Sequence, residues 1–98
     1  MFISIRKYHN VVSVAEVRLR TEREFLPLLK QNPGFRGYYL IDCASPESGN
    51  IATSVSIFDS WEAALASNDA AKKFVKDRLA DILPEPAQAV GGEVILSA

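Results

Sequence analysis

The sequence has few of the residues that build metal centres and cross-links: one cysteine and one histidine. Cys43 alone makes no internal disulfide, which fits a reducing cytoplasm. One imidazole and one thiol fall short of a zinc or haem-type site assembled from several side chains, so neither a metal nor a cofactor is expected. An excess of one charge is also missing. Eleven basic residues against twelve acidic ones leave a net charge of −1, no field to hold nucleic acid or an anionic membrane. No apolar run approaches the roughly 20 residues that span a bilayer. The stretch from Met1 to Lys7 alternates like a strand and lacks the apolar block of a secretory signal.

What is present is an ordered series of amphipathic segments in 98 residues, the size of one domain, 1–98. Phe2 to Tyr8 alternates, with Ile3 and Ile5 on one face and Phe2, Ser4, Arg6 and Tyr8 on the other. A capping box of Ser13 and Glu16, with Val12 and Val17 as its hydrophobic staple, opens a helix that runs to Gln31. Val14, Val17, Thr21, Phe25, Leu28 and Leu29 share its apolar face, and Pro27 predicts a kink. Asn32-Pro33-Gly34 ends it, the glycine being free to take positive φ. Strands over 35–43 and 50–58 follow, joined by the hairpin loop 44–49. The first places Phe35, Tyr39 and Ile41 opposite Tyr38 and Leu40. Asp59 or Ser60 caps a second helix whose stripe is Trp61, Leu65, Val75, Leu79 and Leu83. Leu83-Pro84-Glu85-Pro86 stops it. A last strand, 90–97, starts at Gly91-Gly92, a pair that signals a bulge or a close backbone approach.

This βαββαβ order is satisfied by an α+β, ferredoxin-like arrangement: a four-stranded antiparallel sheet with two helices on one face. Strand two carries large apolar groups on both faces, and Phe2, Tyr8 and Phe58 add more. An uncovered sheet face of that character calls for an isologous partner, so a homodimer packed sheet to sheet is expected.

Three segments carry a resemblance over the whole chain: Pro33-Gly34-Phe35-Arg36-Gly37-Tyr38-Tyr39, Ser54 to Ala64, and the Leu83–Pro86 exit leading to Gly92-Glu93-Val94. In order and spacing they resemble the antibiotic biosynthesis monooxygenase-like family of dimeric α/β barrels. That resemblance implies cofactor-free oxygenation of phenolic polyketides and quinols, or haem degradation. Haem-degrading members present a histidine on the second helix and an inward asparagine on the first strand. Residues 61–83 contain no histidine and 2–8 no asparagine, which points away from haem. Phenol-oxidising members bind substrate with a tryptophan and an asparagine near the end of strand three and a later arginine. Trp61 stands in for the tryptophan, but Ile57, Phe58, Asp59 and Ser60 before it include no asparagine.

The candidate site residues each have a simpler role beside the functional one. His9, just past strand one, is a candidate catalytic base at the mouth of a helix-to-sheet cavity, or a solvated loop residue. Trp61 and Asn68, about two helical turns apart and within ~20° around the second helix, are candidate substrate-binding groups. The indole otherwise anchors helix to sheet, and the amide otherwise satisfies its hydrogen bonds locally. Tyr38 and Tyr39 face opposite sides, one toward the cavity and one toward the dimer interface, and Tyr38 is the substrate-binding candidate. Arg78, beside the apolar stripe, reaches a carboxylate or enolate, or is a surface cation. The resulting expectation is a cofactor-independent monooxygenase for a small aromatic or polyketide-like phenol or enol. The alternative is a non-catalytic ligand-binding or assembly module of the same fold.

Overall fold

A computed structural model describes residues 1–98. Strand β1 (Phe2–Tyr8) leads through a loop to α1 (Val14–Arg20), a π-helical turn (Thr21–Phe25) and α2 (Leu26–Gln31), one continuous first helix. Strands β2 (Phe35–Asp42) and β3 (Ala52–Phe58) follow. The second helix is α3 (Trp61–Phe74) with a π-helical turn (Val75–Leu79), and β4 (Gln88–Glu93) closes the order. All pairings are antiparallel and the strand order is β2-β3-β1-β4. This is the ferredoxin-like sheet with both helices on one face.

The π-helical turns answer the spacing of the apolar residues. Val17, Thr21, Phe25 and Leu29 are buried and repeat every four positions, so an unbroken α-helix would drift by about 40° at each step. The wider turn over Thr21–Phe25 removes that drift and brings Phe25 and Leu29 back to the sheet, and Pro27 enters at the start of α2, where its missing N–H costs least. Leu28 consequently points outward and is 51% exposed, contrary to the periodicity expectation. The same device serves the second helix, where Phe74 and Leu79, five residues apart, are both buried across the Val75–Leu79 turn. Phe25 and Phe74 stack at 5.1 Å and join the two helices over the sheet.

Several local expectations change. Ser13 caps α1 by accepting from the Glu16 amide at 3.1 Å, but the Glu16 carboxylate turns to Arg20. Val12 is 63% exposed, so the staple does not form, and Val11 is the buried residue of that loop. Ser60, not Asp59, caps α3; Asp59 pairs with Arg36. Gly34 does not adopt positive φ. It is required because a Cβ there would lie 2.5 Å from the Ala63 Cβ, where the turn after α2 is latched to α3. Asn32 forms that latch, donating to the Ala63 carbonyl and accepting from the Gly34 amide, both at 3.0 Å.

A bulge between Phe35 and Gly37 sends Phe35 inward against Phe58, opposite to the side of Tyr39 and Ile41. Strand β4 is shifted from the expected range and stops at Glu93, leaving Ile95 and Leu96 exposed. The register of β4 is unbroken at Gly91-Gly92; a Cβ on Gly91 would come within 3.0 Å of the Ile3 carbonyl, so close approach explains the glycine.

The helix-covered face holds Phe2, Ser4, Arg6, Tyr8, Ala52, Ser54, Ser56 and Phe58. Phe2, Tyr8 and Phe58 therefore belong to the covered side. The open face is still apolar, through Ile3, Ile5, Val55, Ile57 and Tyr39, with Val90 from β4. No helix is long and apolar enough to cross a membrane.

Candidate functional site

Three neighbouring spaces surround the inner face of the sheet. At the centre lies a pocket of about 30 Å³, room for about two waters. Its apolar wall includes Phe25, Phe74 and Leu79, and its polar wall includes Arg6, Tyr8, Thr21, Tyr38, Ser54, Ser56, Ser67 and Asn68. Both π-helical turns contribute, Thr21 and Phe25 from one and Val75 and Leu79 from the other. No histidine and no carboxylate lines it. A groove of about 550 Å³ between the first helix and β2 shares Thr21, Tyr38 and Leu40 with this pocket. On the β4 side a cavity of about 160 Å³ lies among Phe2, Ser4, Trp61, Asn68 and Gly91.

The β alternation places these side chains. Even-numbered residues of β1 and β3 face the helices, so Ser4, Arg6 and Tyr8 stand beside Ser56, Ser54 and Ala52. Arg6 Nε donates to Tyr8 Oη at 2.9 Å. Tyr38 projects inward from β2, edge-on to Phe25 at 6.3 Å. Burial, reinforced by the neighbouring Tyr8, pushes the Tyr38 phenol up to about 12, while Ser54 and Arg6 oppose the shift. At ordinary pH this group is therefore a neutral phenol, a hydrogen-bond donor and not a base. Asn68 Oδ1 accepts from Ser4 Oγ at 2.8 Å, and Asn68 forms the partition between the central pocket and the β4-side cavity.

The expected candidates fall into separate places. Tyr38 and Asn68 meet at the central pocket, and Asn68 meets Trp61 at the β4-side cavity. Tyr39 is on the open face, 60% exposed. Trp61 is 48% exposed, tilted against Phe2 with ring centroids 6.0 Å apart, and not a member of the buried stripe. That stripe is Ala64, Ser67, Ala71 and Phe74, small residues that let α3 approach the sheet closely. His9 follows the Tyr8 end of β1, whereas Trp61 packs at the Phe2 end, ~20 Å away along the strand. His9 therefore does not stand at the mouth of the Trp61 cavity, and it lines neither the central pocket nor the groove. Arg78 lies on the outer surface between the helices, paired with Glu24 at 2.5 Å, beside the Arg20–Asp81 pair. It does not reach the interior. Arg6, Tyr8, Ser54 and Ser56 are the polar residues of β1 and β3 in the pocket wall that the candidate set omits. The strict alternation of β1 and β3 marks them as one face, but period alone does not say whether that face is covered.

No protein-family model matches the chain, and no curated protein matches its sequence. Solved structures do match. A candidate antibiotic biosynthesis monooxygenase from Nitrosomonas europaea superposes with a TM-score of 0.73 at 16% identity, covering 98% of this chain and 100% of that one. SnoaB, a cofactor-independent oxygenase from Streptomyces nogalater, gives 0.65 at 14% identity, covering 98% and 94%. A dimeric ferredoxin-like protein from an uncultured marine organism gives 0.69 at 8% identity, covering 99% and 97%. The chain has the antibiotic biosynthesis monooxygenase-like fold. At these identities the likeness extends to the backbone alone. Within that fold no three His, Cys, Asp or Glu side chains converge on a common point.

Proposed function

We propose that the chain is a cofactor-independent monooxygenase acting on a small aromatic or polyketide-like phenol or enol, as a homodimer packed through the open sheet faces. One observation carries this reading: a polar pocket walled into the core by uncharged phenol, amide and hydroxyl groups and one guanidinium, sharing Thr21, Tyr38 and Leu40 with a groove large enough for a ring. The cofactor-independent oxygenase among the matching structures supports it, and the dimeric one supports the assembly.

The chemistry needs little from the protein beyond position and dryness. An ionised phenol or enol transfers an electron to dioxygen, and the radical pair closes a carbon–oxygen bond. The resulting hydroperoxide loses water to leave a carbonyl. One ring methylene and one dioxygen give one carbonyl and one water, and all electrons come from the substrate, so no external reductant enters. Tyr38 and Asn68 orient the substrate oxygen, and Trp61 walls the second cavity beyond Asn68. His9 lines neither the pocket nor the groove, so no proton transfer is assigned to it.

Oxygen uptake with hydroxynaphthalenes and anthrones, without flavin or metal, tests the reading. Uptake above the protein-free control that falls at least tenfold in Asn68→Leu supports it; uptake equal to the control across the panel removes it. The second reading, a non-catalytic binding module, is favoured by the absence of any histidine or carboxylate from the pocket wall. Saturable binding of the same compounds without oxygen uptake would establish it.

A further inference from the structure

Arg6 is the only charged side chain lining the central pocket. It is half-buried, on the covered face of β1 opposite Ser54. The four ion pairs of the chain use Arg20, Arg36 and Arg78, and none uses Arg6. Its one side-chain hydrogen bond runs from Nε to the phenol oxygen Tyr8 Oη, with the guanidinium carbon 5.8 Å from the centre of that ring. A half-desolvated cation without a counter-charge is an open position for an anion. Here no side-chain acceptor is bonded to either terminal nitrogen, and no carboxylate shares the pocket.

We infer that Arg6 is the anion-holding residue of this site, and that its ligand is a planar ring bearing an ionised oxygen, a phenolate or an enolate. This deepens the reading above: it rests on the central pocket being the ligand site, though not on turnover. The dimensions set the pose. A space of about 30 Å³ admits an oxygen and not a ring, so the ring lies in the groove beside Leu40 and the oxygen reaches past Tyr38 to the guanidinium. Tyr38, a neutral donor, adds a hydrogen bond to the same oxygen. Stabilising the anion next to a fixed cation substitutes for the missing base, because the bound phenol loses its proton to water at a lower pH. The titratable and charged groups lining the pocket are Arg6, Tyr8 and Tyr38, from β1 and β2; the groove that holds the ring adds Arg18 and Glu22 from the first helix and Asp42 from β2.

The probe is 4-nitrophenol, whose neutral and ionised forms differ in colour, compared with its methyl ether 4-nitroanisole, which does not ionise. With protein in excess, ionisation of the bound phenol should move down by about one pH unit, equivalent to tenfold tighter binding of the anion. Arg6→Gln should abolish that shift and leave 4-nitroanisole binding unchanged, while Arg6→Lys should keep part of it. A shift that persists in Arg6→Gln overturns the inference. So does wild-type binding of the ether as tight as that of the phenolate, a result independent of whether Arg6→Gln folds. Either outcome leaves the pocket standing as a ligand site. Binding of neither probe at any pH removes the ligand-site reading together with the inference.

Discussion

The two faces of the sheet reverse the usual assignment of polarity. At its centre the face covered by helices carries Ser4, Arg6, Ser54 and Ser56, flanked by Phe2, Tyr8, Ala52 and Phe58, whereas the centre of the face without helices carries Ile3, Ile5, Val55 and Ile57. In an ordinary two-layer domain the apolar face meets the helices and the polar face meets water. The reversal has a separate cause on each side. Small hydroxyl residues on the covered face match the Ala64, Ser67 and Ala71 stripe of α3, so the layers approach closely and enclose a polar pocket. On the open face the row Tyr39, Val55, Ile5 and Val90 crosses all four strands, a surface suited to a second copy.

The sharpest way to break this comparison is to put a charge on the open face. Wild-type protein should scatter light as two chains at micromolar concentration, and Val55→Asp as one. Burying an unpaired carboxylate in such an interface costs about 3 kcal/mol or more, over a hundredfold in Kd. A wild-type mass of one chain would mean that the apolar row stays wet.

The covered face is tested next at Gly34, whose missing Cβ sets how closely the latch approaches α3. Gly34→Ala should cost about 1–3 kcal/mol, lowering Tm by several degrees in a chain of this size. No change in a thermal melt would show that the separation of the layers is not set there.

Tyr38 offers a titration of the same face. Its folded value, about 12, lies above the ordinary phenol value of 10.0 that holds in the unfolded chain, so folding keeps the phenol protonated. The associated stability, roughly 2 kcal/mol, is present below pH 10 and lost as pH rises toward 12. Wild-type Tm should therefore fall more steeply than that of Tyr38→Phe between those values; parallel curves would place the phenol in water.

The smallest expected effect is at Ser4. Ser4→Ala removes the donor to Asn68 Oδ1 and should cost about 1 kcal/mol, measured by urea unfolding with an unchanged m-value. A loss much below that would mean that water replaces the hydroxyl.

Much of the fold was readable in residue order. The alternation of residues 2–8 and 52–58, the Ser13 cap and the Asn32-Pro33-Gly34 stop are local signals, and each element appears near its expected place. The site was less readable. Tyr38 and Asn68 were identifiable as inward polar groups, but Trp61 was assigned to the apolar stripe on helical period, and Arg6 did not stand out from other cations. Hydrophobic period finds a helix face to within a residue or two. It does not show that α3 buries its alanines and serines and leaves Trp61 and Leu65 at the flank.

The sequence by itself determined the element order, the alternation of the strands and the caps and breaks, because these depend on φ/ψ preferences and on side-chain periods of two and about 3.6 residues. Tertiary structure alone decided which alternating face the helices cover. It also decided that two π-helical turns bring Phe25, Leu29 and Leu79 back to the sheet, and that Arg6 shares a pocket with Tyr38 while His9 and Trp61 lie at opposite ends of β1. Those outcomes depend on volume and on distance between residues far apart in the chain, which no local spacing encodes.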